Sequence, residues 1–208
     1  MPDTGIIPIS DEQAKAIQEA LKVLQGLGGY LKETFGTVPQ DLVGLLAGDW
    51  LKVKRAENLV RTVEKMRERL KARGVEPTEP PSLSLLLPIL VAAAEESRND
   101  LQDIWARLLA AAADPSRVKL FRIGFIDAVK KMDPLDAGVL QSAVGIGGAI
   151  NEQTRNGLAG RVQASRDEVD VSLANLAKLD MVTAINRPIG NDMLVTPFGR
   201  EFLRAVSN

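Results

Sequence analysis

The sequence predicts a mainly α-helical protein that ends in a winged-helix-like unit carrying a short β-hairpin. Three observations support this class. Apolar residues recur at helical spacing over most of the chain, a Pro-rich interruption divides that pattern, and the final stretch changes to short elements with two β-branched runs. With 208 residues, 45% hydrophobic and 25% charged, the chain has ample material for a buried core and lies outside the profile of a disordered protein.

Ser10 and Asp11 suit the cap of a first helix, in which Ile17, Ala20, Leu21, Leu24, Leu27 and Leu31 follow the helical period. Gly26, Gly28 and Gly29 fall near its end, where each costs about 1 kcal/mol relative to Ala inside a helix. After a break at 36–39, the stretch 41–73 places Leu42, Leu45, Leu46, Trp50, Val53, Ala56, Leu59, Val60, Val63, Met66 and Leu70 on one stripe, which predicts a long helix. Gly74 stops it, and Pro77, Pro80 and Pro81 mark an extended linker. These signals divide the chain into an N-terminal part (1–76), a linker (77–82), a central helical core (83–132) and a C-terminal unit (133–208).

In the central core, 88–113 reads as two helices meeting at the polar patch 95–100, which can cap the second. Leu101, Ile104, Trp105, Leu108, Leu109 and Ala112 form the apolar face of that helix, and Asp114 with Pro115 ends it. A further helix over 119–132 would turn Leu120, Ile123, Ile126 and Val129 inward.

Asp133 and Pro134 open the C-terminal unit in N-cap and N1 roles. A helix through Leu135, Val139, Leu140 and Val144 is followed by a Gly-rich passage and a helix capped at Ser165, with Val169, Leu173, Leu176 and Leu179 on its inner face. Residues 181–185 and 193–196 read as strands joined by a turn at 186–191, and Pro197 starts a closing helix over 197–206. In winged-helix order, 165–179 takes the place of the recognition helix, and the loop around Arg187 is the wing.

Charge argues against the obvious inference that this unit reads DNA. Asp167, Glu168, Asp170 and Asp180 outweigh Lys178, and carboxylates at the leading end of the helix would meet phosphate oxygens. Arg155, Arg161, Arg166 and Arg187 are the candidate phosphate ligands, and the balance favours protein contact over nucleic acid.

The run Leu101-Gln102-Asp103-Ile104-Trp105-Ala106-Arg107-Leu108-Leu109-Ala110, preceded by Glu95-Glu96, resembles the central motif of the abortive infection alpha family. The close Thr196-Pro197-Phe198-Gly199-Arg200-Glu201-Phe202-Leu203-Arg204 is similar to that family's ending. The likeness covers roughly 39–205 in the family's order. It implies a helical bacterial protein of phage defence, in which an infected cell halts phage propagation at its own expense, and it assigns no catalytic residues. The motif's apolar positions also fit plain core packing.

Cysteine and histidine are both absent, which removes disulfides, thiolate nucleophiles, the commonest metal ligands and the usual general base near neutral pH. The expectation is a protein without catalytic centre, cofactor or small-molecule substrate. The apolar run 83–94 contains Ser84 and Pro88 and falls short of the roughly 20 residues a membrane-spanning helix needs. No secretory signal is visible around Asp3, so the expected address is the cytoplasm. Residues 145–148, Gly-Ile-Gly-Gly, lack the Lys-Ser or Lys-Thr of a phosphate loop and read as a turn.

Between 52 and 73, nine Lys and Arg face three Glu, a pattern that also permits pairing of Glu57 with Arg61, Glu64 with Arg67, and Glu68 with Lys71 on a solvated face. The leading expectation is a non-enzymatic protein that works through protein association, with the stripe of 41–73 as a self-association surface. The alternatives are a DNA-binding regulator using the winged helix, and a toxic effector that perturbs membranes through the N-terminal amphipathic helix and the basic one after it.

Overall fold

The computed structural model describes residues 50–75, 83–185 and 192–207, together with Gly29. The expected first helix, the stretch 41–49 of the long helix, the linker 77–82 and the hairpin turn 186–191 lie outside the described residues, Gly29 apart. Eight helices and one hairpin make up the described residues: α1 (Trp50–Ala72), α2 (Leu83–Glu95), α3 (Asn99–Ala113), α4 (Gly124–Lys130), α5 (Pro134–Val144), α6 (Glu152–Val162), α7 (Arg166–Lys178), β1 (Val182–Ala184), β2 (Met193–Val195) and α8 (Pro197–Val206).

The stripe of α1 is spent inside the molecule. Ala56, Leu59, Val60, Val63, Met66 and Leu70 are buried, and the helix packs on α2 and α3. Gly74 ends it as expected: at φ 65° it lets the Val75 N–H reach the Leu70 carbonyl at 3.0 Å, while its own N–H reaches Lys71 at 3.0 Å. α2 begins at Leu83 and takes Pro88 inside the helix, five residues earlier than the sequence suggested. Pro88 lies past the first turn and has no N–H to donate back along the ladder, so the helix crosses this position one backbone bond short.

α3 is the central helix. Leu101, Trp105, Leu108, Leu109 and Ala112 are buried as their spacing predicts, but so are Gln102, Ala106, Ala110, Ala111 and Ala113. α1, α2, α4, α5 and α8 all pack against it, so little of its circumference is left to solvent. Its N-cap is Arg98, which makes no side-chain cap bond; instead the Glu96 carboxylate accepts the Arg98 N–H at 2.9 Å.

The helix expected over 119–132 is broken. Asp114 accepts the Ser116 N–H (2.9 Å) and hydroxyl (2.6 Å) on its side chain, and its carbonyl accepts Arg117 and Val118, both at 2.9 Å. The chain winds through a 3₁₀ turn at Val118–Leu120, and the α-helical period restarts only at α4. The inward face therefore shifts: Phe121 and Phe125 are buried, Ile126 and Val129 hold their expected places, and Ile123 is 63% exposed.

From residue 133 onward the structure contains the hairpin and closing helix that the sequence suggested, plus one helix it did not. Asp136 accepts the Asp133 N–H at 2.8 Å at the start of α5. α6 is the addition; Asn151 and Thr154 cap it reciprocally, at 2.7 and 2.9 Å, but only Leu158 of its side chains is buried. One apolar position leaves no 3.6-residue signal to read. Ser165 caps α7 as expected, paired with Glu168 at 2.7 and 3.2 Å. The hairpin aligns Val182 with Val195 and Ala184 with Met193, and Ile150 bridges to Met193 through bonds of 2.7 and 3.1 Å.

α8 returns from the hairpin to the centre. Phe125 meets Phe198 at 5.2 Å and Phe202 at 5.5 Å between ring centroids, and touches Phe121 edge-on at 6.3 Å. One apolar cluster thus runs from Leu59 to Val206. Thr196 starts α8: its hydroxyl accepts the Gly199 N–H at 3.0 Å and donates to the Asp180 carbonyl. Gly199 has no room for a side chain, since a Cβ would lie 2.3 Å from the Met181 carbonyl oxygen and 3.0 Å from Val195 Cγ1. Gly199→Ala is therefore expected to destabilise the fold by about 1–3 kcal/mol, as overpacking does. Thermal unfolding checks this, and an unchanged midpoint would contradict the packing described.

Candidate functional site

The polar residues of the central motif do not point to solvent. Gln102 is fully buried, and its amide donates to the Glu96 carbonyl (2.7 Å) and to Asn58 Oδ1 (3.2 Å), while its carbonyl oxygen accepts Arg61 at 3.3 Å. Asn58 in turn donates to the Ala94 carbonyl at 3.1 Å. The Glu96 carboxylate holds the Arg98 guanidinium through two bonds of 2.9 Å, and Arg98 continues to Asp133 at 3.0 Å. This network ties the α2–α3 turn to α1 on one side and to the start of α5 on the other. Burial pushes the Glu96 carboxyl up, but Arg98 outweighs it and holds the carboxyl below its ordinary range.

A second cluster gathers four arginines from three stretches of chain. Asp103 binds Arg107 at 2.8 Å and also pairs with Arg69. Arg107 donates to the Val206 carbonyl (3.0 Å), Arg73 to Ser207 (2.9 Å), and Arg117 to Arg204 (2.6 Å) and Ser207 (3.1 Å). These carbonyls belong to the last turn of α8 and its C-cap, where helical partners run out and cations are favoured. Burial and the neighbouring Arg117 lower the pKa of Arg73, Asp114 notwithstanding. For Asp103, burial raises the pKa, but Arg107 and Arg69 bring it below the ordinary value. Arg69 and Arg73 belong to the stretch 52–73, for which a solvated face was expected. That description suits Lys54 and Glu57, which pair at 2.8 Å, but not the two arginines that turn inward.

The structure unites two of the four arginines singled out as phosphate ligands. Arg155 and Arg166 both bind Asp170 at 3.1 Å, and Arg166 also binds Glu152 at 2.8 Å and Asn156 at 2.9 Å. They clasp α6 to α7. Arg161 stands apart and reaches the Ser142 carbonyl at 3.4 Å; Arg187 lies outside the described residues. On the outer side of α7, Asp167, Glu168, Val171, Ala174 and Lys178 are exposed, Val171 by 70%. A cleft of about 1210 Å³ lies between α3, α5 and α8, with Arg161 and Lys65 among its lining residues.

What the residues define is a helical protein whose polar motif positions build its interior contacts. Residues 54–206 match the abortive infection alpha family, and the chain belongs to that family, which links it to abortive infection. No curated protein and no solved structure matches the chain. Among the described residues, no group of three His, Cys, Asp or Glu is placed to hold a metal ion, and no helix is long and apolar enough to cross a membrane.

Folding lowers the pKa of both Glu96 and Asp103, so the stability they contribute is present above the ordinary carboxylate range and is lost as pH falls through their folded-state values. Glu96→Gln should weaken the fold at neutral pH and reduce its loss of stability in acid. Urea midpoints measured from neutral into acid solution test this; parallel curves for the two proteins would contradict it.

Proposed function

We propose that the protein acts in abortive-infection defence without catalysis, by binding a protein partner through the outer face of α7. The observation that carries this reading is the make-up of that face. Val171 is exposed by 70% and Ala174 is exposed beside it, with Asp167 and Glu168 toward the leading end. A partner with an apolar centre and a cationic border fits this surface, whereas a phosphate backbone meets carboxylates there.

The neighbouring cations strengthen the preference. Arg155 and Arg166 already serve Asp170 and Glu152, and binding DNA would require them to leave those carboxylates. The apolar stripe expected to drive self-association is, from Ala56 to Leu70, buried in the packing of α1 on α2 and α3. Association is therefore better assigned to α7.

Val171→Asp should leave the melting temperature unchanged, because the side chain is exposed, and weaken partner binding about tenfold, equivalent to about 1.4 kcal/mol. In infected cells, the same variant should lose protection against phage while the wild type retains it. If Val171→Asp protects fully, and if the protein binds duplex DNA with steep salt dependence that Arg161→Glu abolishes, the DNA-binding reading replaces this one.

A further inference from the structure

The outer face of α7 carries its charged and apolar groups on one line. Asp167, Val171, Ala174 and Lys178 are exposed, and the helical repeat sets them within about 60° of one another around the axis. The buried Val169, Leu173 and Leu176 lie on the opposite side. The line therefore runs from an anion, with Glu168 beside it, through an apolar centre in which Val171 is 70% exposed, to a cation. Among the described residues Asp167 and Lys178 make no ion pair, and Glu168 is engaged only with Ser165.

The cleft between α3, α5 and α8 has the converse chemistry. It runs the length of α5, since Pro134 and Val144 both line it. Small-molecule sites enclose about 300–1,000 Å³, and this cleft, at about 1210 Å³, is larger and open to a helix face. Its wall is apolar: Val144 is 46% exposed, and Ile104, Leu135 and Val162 are half-buried. Toward the end of α5, Arg161 reaches the Ser142 carbonyl at 3.4 Å, and Arg200, elsewhere on the lining, donates to the Val195 carbonyl. Among the described residues neither has a carboxylate partner. The start of α5 lies beside the first turn of α3, where Arg98 meets Asp133 at 3.0 Å. Asp100 lines the cleft there without an ion pair among the described residues. Lys65 accompanies it, because α1 brings Arg61 to Asn99 and Arg69 to Asp103 on either side. That end therefore carries little net charge, whereas the Arg161 end is cationic.

We infer that the protein assembles with itself, the outer face of α7 of one copy seated in the cleft of another. Asp167 and Glu168 then face Arg161, Val171 and Ala174 lie on the apolar wall, and Lys178 faces Asp100. The lengths agree, about 16 Å from Asp167 to Lys178 against about 15 Å for α5. Because the surface that enters differs from the surface that receives, the contact closes into a ring, a reciprocal pair being the smallest, or runs on as an open chain. A contact made by one helix face is at the small end of protein interfaces, so assembly is weak and follows concentration. The inference rests on α7 as the binding face and names its partner as a second copy of this chain.

Sedimentation velocity of the full chain at rising concentration should show species above the monomer that diminish as salt is raised. Arg161→Glu and Asp167→Arg should each weaken assembly about tenfold. An equal mixture of the two should assemble, because the reversed helix meets the reversed cleft while the two unreversed surfaces meet each other. The absence of cysteine permits a second test without charge reversal. Gln141→Cys in the cleft and Ala174→Cys on α7, treated with a short bis-maleimide, should link when the two proteins are mixed and not when either is alone. The inference is overturned if the wild type stays monomeric, if the mixed charge variants remain apart although circular dichroism shows both folded, or if Ala174→Cys alone links as well as the mixture. A monomeric wild type would leave the reading of α7 standing for a different partner, and loss of phage protection by Val171→Asp would then still support it.

Discussion

The rest of the structure depends on how the last helix is held. The final carbonyls of any helix lack internal partners, and in α8 they are met by Arg73, Arg107 and Arg117, which come from three separate stretches of chain. The middle of α8 is fixed by Phe198 and Phe202 against Phe125, and its start by Thr196 and the bare backbone of Gly199 against Met181. Every turn of this helix therefore contacts something distant in sequence. Through it the hairpin and α5–α7 share one core with α1–α4.

This arrangement explains the composition of the two family motifs. In the central motif, Leu101, Trp105 and Leu108 fill the core, Gln102 secures the turn before α3, and Asp103 with Arg107 reaches out to Arg69 and to the end of α8. The closing motif runs directly into the other half of that contact, the Val206 carbonyl at the end of α8. The motifs meet at one joint, so their residues identify the family through architecture.

Much of this was legible from residue spacing and capping chemistry. The burial of α1 and α3, the stop at Gly74, and the caps at Asp133 and Ser165 follow from local rules that the chain obeys. The misreadings have specific causes. α6 buries only Leu158 and so has no periodic stripe, and the Asp114 turn reset the helical phase before α4 and left Ile123 outside. Arg69 and Arg73 were indistinguishable from exposed neighbours, because the carbonyls that claim Arg73 and the aspartate that claims Arg69 lie far along the chain. For the candidate site, the acidic character of α7 and the i, i+4 spacing of Arg166 and Asp170 were readable, while the pairing of Arg155 with Asp170 required α6, which the sequence did not reveal.

Native-state hydrogen exchange tests most directly whether α8 joins the molecule into one cooperative unit. If it does, the amides of α8 and α3 will open with the same free energy and respond equally to denaturant. Exchange of α8 through a separate, much cheaper opening, with α3 still protected, would show that the arginines and phenylalanines do not hold the joint.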